Sequence, residues 1–164
     1  MRVGVLMAVL LLAACAGASP SSAPGAVRIL ASDLLLIEGP FTVAVIDNAT
    51  DFEAGWARSS ASGPPPVVSF ATEVVVYLGM AGSSSCPETF QHLVVDAEAA
   101  HVYGEWDSSQ FVGKPCSDDL RSQGVVLAVR RTVLPPTEFT LTLRAELICP
   151  DCPDHPDQVL VDLP

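Results

Sequence analysis

Along Glu138 to Leu147, "EFTLTLRAEL", Phe139, Leu141, Leu143, Ala145 and Leu147 alternate with Thr140, Thr142, Arg144 and Glu146. A period of two is the pleat of a β-strand, so the stretch predicts a strand with one apolar and one wet face. Phe41 to Asp47 and Glu73 to Gly79 are short runs rich in β-branched and aromatic residues, bounded by Gly, Pro or Asn, as buried strands are. Phe90 to Trp106 reads as two strands joined through Asp96 to Ala99. Gly124 to Val133 reads as another, and Gln158 to Leu163 as a final edge strand. No repeat of fixed period is visible. The pattern predicts one mainly β domain, an antiparallel β sandwich or barrel-like fold, over residues 27–164.

A single helix is expected within "DNATDFEAGWARSS". Thr50 followed three residues later by Glu53 has the form of a capping box. Phe52 and Trp56, four apart, share one face, which should cover one end of the sheet. The prolines of "SGPPPVV" then impose extended chain before the next strand.

The N-terminus supplies an address. "MRVGVLMAVLLLAAC" places a charge at Arg2, an apolar run from Val3 to Leu12 and small residues at Ala13 and Ala14 before Cys15. That order is an export signal, with an apolar run too short for a mature membrane span. Leu12, Ala13, Ala14 and Cys15 resemble a bacterial lipobox, in which the cysteine is lipidated once the signal, residues 1–14, is removed. The resemblance implies a lipoprotein held on the extracytoplasmic face of a bacterial cell membrane, with the bilayer as its first partner. Residues 15–26, "CAGASPSSAPGA", bring no core-forming side chains and read as a flexible tether. Buried acyl chains contribute about 0.8 kcal/mol per CH₂, so more than one makes a stable anchor.

Without the signal, 7 basic side chains face 19 acidic ones, a net charge of −12. Such a surface repels phosphate backbones and excludes nucleic acid as a partner. A basic protein patch or a cation fits better.

Export also bears on the five cysteines. Outside the cytoplasm thiols are held as disulfides, and setting Cys15 aside leaves four, which allow three pairings. Cys86 with Cys116 and Cys149 with Cys152 is the expected arrangement. The first closes a loop for which chain entropy gives about 3 to 4 kcal/mol. Cys149 and Cys152 also have the spacing of dithiol exchange sites, but Asp151, Asp154 and Asp157 would raise their thiol pKa and blunt reactivity. Cys149, Cys152 and His155 form the alternative, a metal set that Asp154 or Asp157 would complete. No cofactor is expected.

"GSSSC", Gly82 to Cys86, places serines beside a cysteine with His92 or His101 as a candidate base, yet no nucleophile-elbow pattern is present. A turn centred on residues 96 and 97 would set His92 and His101 face to face across a hairpin. Tyr103, Trp106 and Phe111 are the candidate aromatic anchor of a binding edge, or the end of the core.

"VIDNATDFEAGWARSS...PPPVVSFATEVVVYLG" resembles the small exported β-domains of the protease complex B-subunit-like family. The matching pieces are Val45 to Asp47, Phe52 to Trp56, Ser69 and Phe70 in place of that family's Asp-Phe element, and Val74 to Gly79. Where that family carries a Thr-Gly-Gly-Tyr loop, this chain has "MAGSSSCPETF", Met80 to Phe90. The resemblance implies a compact β domain that binds a protein partner or stabilises a complex, without catalysis. A small-ligand carrier would need an apolar cavity.

Overall fold

The run Val74 to Met80 is apolar or glycine throughout because it is covered on both faces. In the computed structural model, which describes residues 25–34, 42–144 and 158–164, this run belongs to β3 (Glu73–Ser83). Around it lie β1 (Val27–Ala31), β2 (Thr42–Ile46), β4 (Thr89–Asp96), β5 (His101–Asp107), β6 (Leu120–Arg130), β7 (Phe139–Thr142) and β8 (Gln158–Val161), with one α-helix among the described residues, α1 (Ala49–Arg58). They form two four-stranded sheets, β1-β6-β3-β2 and β4-β5-β7-β8, stacked as a sandwich. As expected of "QVLVDL", β8 is an edge strand.

The inward residues of β3 are Val74, Val76, Leu78 and Met80, and they form one cluster with Val125, Leu127 and Val129 of β6, Phe139 and Leu141 of β7, and Leu143 just after it. Its outward residues Val75 and Tyr77 pack with Val126 beneath α1, against Phe52 and Trp56. A strand buried on both faces needs no polar alternation, which is why the run is continuous. The helix therefore lies over the outer face of one sheet rather than its end.

The start of α1 also corrects the expected cap. Asn48, not Thr50, is the N-cap: its Oδ1 accepts from Asp51 N–H at 3.0 Å, and its Nδ2 donates to Asp51 Oδ2 at 2.8 Å. Asparagine is among the best N-caps, and an acid three residues on reciprocates, so the upstream pair outcompetes Thr50 and Glu53. Phe52 and Trp56 meet edge to face with centroids 5.7 Å apart. Trp56 Nε1 donates to Gly63 O at 3.1 Å, tying the proline-rich segment to the helix.

The first sheet is antiparallel throughout, but β5 and β7 run parallel. The chain leaves β5 for the other sheet, descends it as β6 and returns as β7, so β6 is the crossover a parallel pair requires. Gly104 on β5 permits this packing, since a Cβ there would fall 2.7 Å from Trp106 Nε1 and 3.0 Å from Leu143 O.

The alternation on β7 holds for Phe139, Leu141 and Leu143, all inward and buried. Its expected wet face is corrected at Thr142, which is 0 % exposed and whose hydroxyl is satisfied by His101 Nε2 at 2.7 Å. Ala145, Glu146 and Leu147 lie outside the described residues.

Beneath the helix, the Tyr77 hydroxyl is buried without a hydrogen-bond partner among the described residues, and burial pushes its pKa up to about 12. An unpaired buried hydroxyl costs about 1 kcal/mol or more. Tyr77→Phe should therefore raise unfolding free energy by about 1 kcal/mol in urea titrations. A loss of that size would show that the hydroxyl is satisfied.

Candidate functional site

Both crossings between the sheets at one end of the sandwich carry a cysteine. Cys86 lies between β3 and β4, Cys116 between β5 and β6, and the two form a disulfide with Cα atoms 5.6 Å apart. The bond ties together the two layer changes at this end of the sandwich, the third, from β6 to β7, being at the other end. Cys149, Cys152 and His155 lie outside the described residues, as does the lipidation candidate Cys15. Among the described residues no three His, Cys, Asp or Glu side chains are grouped to hold a metal ion.

Around the disulfide the serines bond one another. Ser117 Oγ lies 2.9 Å from both Ser83 Oγ and Ser85 Oγ, and Ser117 N–H donates to Ser85 Oγ at 2.8 Å. The Ser117 hydroxyl also donates to Asp119, and hydrogen bonds from Ser117 and Ser84 hold that carboxyl below its usual range. These contacts knit the two crossing loops together. Neither candidate base is bonded to them: His92 Nε2 sits 2.9 Å from Glu105 Oε2, and His101 Nε2 2.7 Å from Thr142 Oγ1.

The two histidines do not face each other either. The turn spans residues 97–100, with Asp96 Oδ1 accepting from the N–H groups of Glu98 and Ala99 and Ala100 at φ 48°. That turn pairs Asp96 with His101 and His92 with Glu105. A turn two residues further along the chain than expected moves each histidine opposite a carboxylate. The Asx-type bonds of Asp96 hold it there.

Tyr103, Trp106 and Phe111 are separated. Trp106 closes the edge of the inner core, its ring edge-on to Phe90 at 5.3 Å and its Nε1 donating to Leu143 O at 3.1 Å. Tyr103 is on the opposite face of β5, its ring 4.9 Å from that of His101. Phe111 ends a 3-10 turn (Ser109–Phe111), with Lys114 Nζ 5.8 Å from its ring centroid. Together with Val112 and Cys116 it lines an open hollow of about 350 Å³ beside the disulfide.

The more enclosed cleft is on the flank where β1 and β4, the outer strands of the two sheets, leave the inner core open. It holds about 180 Å³ and is lined by Ile29, Asp33, Glu88, Phe90, Trp106 and Gln123, among others. Here the apolar filling gives way to polar groups. Arg144 is ion-paired with Glu88 and lies 3.5 Å from Met80 Sδ, so it turns into the end of the sandwich and not onto a wet strand face. Gln123 was not singled out from sequence. Its signal was parity, since it shares the inward face of β6 with Val125, Leu127 and Val129.

His101 is 5 % exposed, and burial lowers its pKa while Asp96 acts in the opposite direction. A depressed pKa means that the unfolded chain takes up the proton first. The stability this neutral ring contributes is complete above about pH 6.5 and is lost as pH falls through the folded value. In urea titrations the stability difference between the wild type and His101→Asn should shrink as pH drops below about 6.5. A difference independent of pH would contradict a buried, neutral imidazole. Comparison with protein-family models, with curated proteins and with solved structures finds no match for this chain.

Proposed function

We propose that the chain is an exported bacterial lipoprotein, anchored through Cys15 at the extracytoplasmic face of the cell membrane, whose β domain binds another protein or supports an envelope complex without catalysis. The observation that carries this reading is the Cys86–Cys116 bond, which suits a compartment where thiols are oxidised. The bond joins two loops at the end of the sandwich, and a pinned loop surface loses little conformational freedom on binding. The resemblance of Val45 to Gly79 to exported members of protein complexes points the same way. With 19 acidic residues against 8 basic ones in the whole chain, a partner with a basic face is favoured.

The anchor and the binding are tested separately. Cys15→Ser should abolish lipid on the intact mass and release the chain from membranes. Keeping residues 1–26 while deleting the β domain should remove a crosslinked partner seen with the full chain. A Cys15→Ser protein that stays membrane-bound contradicts the anchor. A full-length chain that crosslinks to nothing in its native envelope contradicts the partner role.

A further inference from the structure

The corner of the first sheet where the chain enters the domain departs in charge from the rest of the molecule. Ala26 is 2 % exposed and its carbonyl accepts from Arg130 N–H at 2.9 Å, so the chain joins the sandwich beside the end of β6. Arg28, Arg130 and Arg131 stand at this corner, three of the 8 basic residues of a chain that carries 19 acidic ones. The register sets Arg28 opposite Ala128 and Arg130 opposite Glu73, so Arg28 and Arg130 are diagonal neighbours on the outer face of the sheet. Glu73 is the carboxylate that answers them, 3.5 Å from Arg28 Nη2. Three cations against one acid leave the corner positive.

The same corner holds out an apolar side chain. Val67 is 91 % exposed, while Val68 and Phe70 on either side of it turn in against the cluster of Phe52 and Trp56. Pro64, Pro65 and Pro66 restrict the backbone that leads to Val67. Arg28 Nη2 donates to Val67 O at 3.2 Å, and Arg131 donates from its backbone N to Thr72 O at 2.9 Å and from Nε to Phe70 O at 3.3 Å. A guanidinium carries five N–H donors, so holding this loop leaves others to meet an anion.

Cations around a fixed apolar tip match a layer of lipid headgroups, with phosphates outside and the acyl boundary just beneath. A free anion would have no use for Val67. The acids at this end decide the pose. Asp47 and Asp51 lie past β2, at the opposite edge of the first sheet, and Asp96, Glu98, Glu138 and Asp162 belong to the second sheet and its connections. An anionic surface repels those and attracts the β1–β6 corner, so the domain leans onto that corner. We propose that Arg28, Val67, Arg130 and Arg131 dock on anionic lipid headgroups of the membrane that holds the anchor, with the disulfide-bonded end of the sandwich pointing away. The inference rests on anchoring through Cys15. A tether of residues 15–26 keeps the bilayer at high effective concentration, so contacts too weak to recruit a free protein suffice.

The test uses the full chain as its host matures it, placed in nanodiscs that carry a gadolinium-chelating headgroup lipid, with amide signals read by NMR. With phosphatidylglycerol in the disc, paramagnetic broadening should be greatest at Arg28, Val67, Arg130 and Arg131 and least at Cys86 and Ser117. Discs of phosphatidylcholine alone, or raised salt, should remove that contrast. Arg130→Gln should lower the ratio of docked to undocked protein about fivefold, the value of one arginine at such a surface. Val67→Ser changes a side chain that the fold leaves in solvent and should lower the same ratio about fivefold or more. Equal broadening at both ends, strongest broadening at the disulfide, or a contrast that survives Arg130→Gln and high salt would overturn the docking and leave the anchor standing. Inorganic phosphate that shifts the Arg130 and Arg131 signals, with no broadening by the discs, would mean an anion site in place of a membrane face. A chain with no lipid on its intact mass overturns the anchor, and this inference with it.

Discussion

The pairing of β3 with β6, in register from Glu73↔Arg130 to Ser83↔Leu120, is the constraint on which the rest of the molecule depends. Of the largest fully buried side chains among the described residues, Val74, Val75, Val76 and Leu78 come from β3, and Val125, Val126, Leu127 and Val129 from β6. Each such side chain contributes about 1.5 to 3 kcal/mol by leaving water. Burial on both faces of one ribbon demands two covering layers. The second sheet supplies one and α1 with the segment to Phe70 the other. The order of the chain follows from that need. After β2 it places the helix on the outer face, and after β3 it crosses to build the inner one.

The candidate functional features lie where this ribbon runs out of apolar residues. Beyond Leu78 and Val125 the positions on its inward face are Met80 and Gly82 on β3 and Gln123 and Arg121 on β6, and the facing layer answers with Arg144, Glu88 and Trp106. A core that ends in an ion pair and an unpaired amide is poorer in stability than one capped by leucines. The Cys86–Cys116 bond and the serine cluster brace the same end, where both chain crossings leave the protection of the sheets. Bracing that keeps two loops fixed beside polar, imperfectly satisfied walls suits recognition.

Much of the architecture was legible in the sequence, and the misses have physical reasons. Uninterrupted apolar runs marked β3 and β6 because both faces are covered, and Phe52 with Trp56 marked the buried face of α1. The Cys86–Cys116 pairing could be preferred in sequence but not singled out, since three pairings were open. β1 was missed because "VRILA" follows a low-complexity stretch and is edge-like in composition. The parallel pairing of β5 and β7 depends on a crossing through the other sheet, which no local pattern encodes. Tyr103 and Trp106 are an odd number of residues apart on one strand, so period-two reasoning already placed them on opposite faces. Grouping them as one anchor overlooked this. Gln123 was hidden by its polarity, although its parity with Val125 put it inside.

Native-state hydrogen exchange resolved by residue tests the central claim most directly. If the doubly covered ribbon organises the fold, the amides of Val74 to Leu78 and Val125 to Val129 exchange only through global unfolding and are the slowest in the protein. Those of β1, β8 and α1 should open earlier. Slowest exchange in β4, β5 and β7, with β3 and β6 opening sub-globally, would mean that the second sheet, and not this ribbon, holds the molecule together.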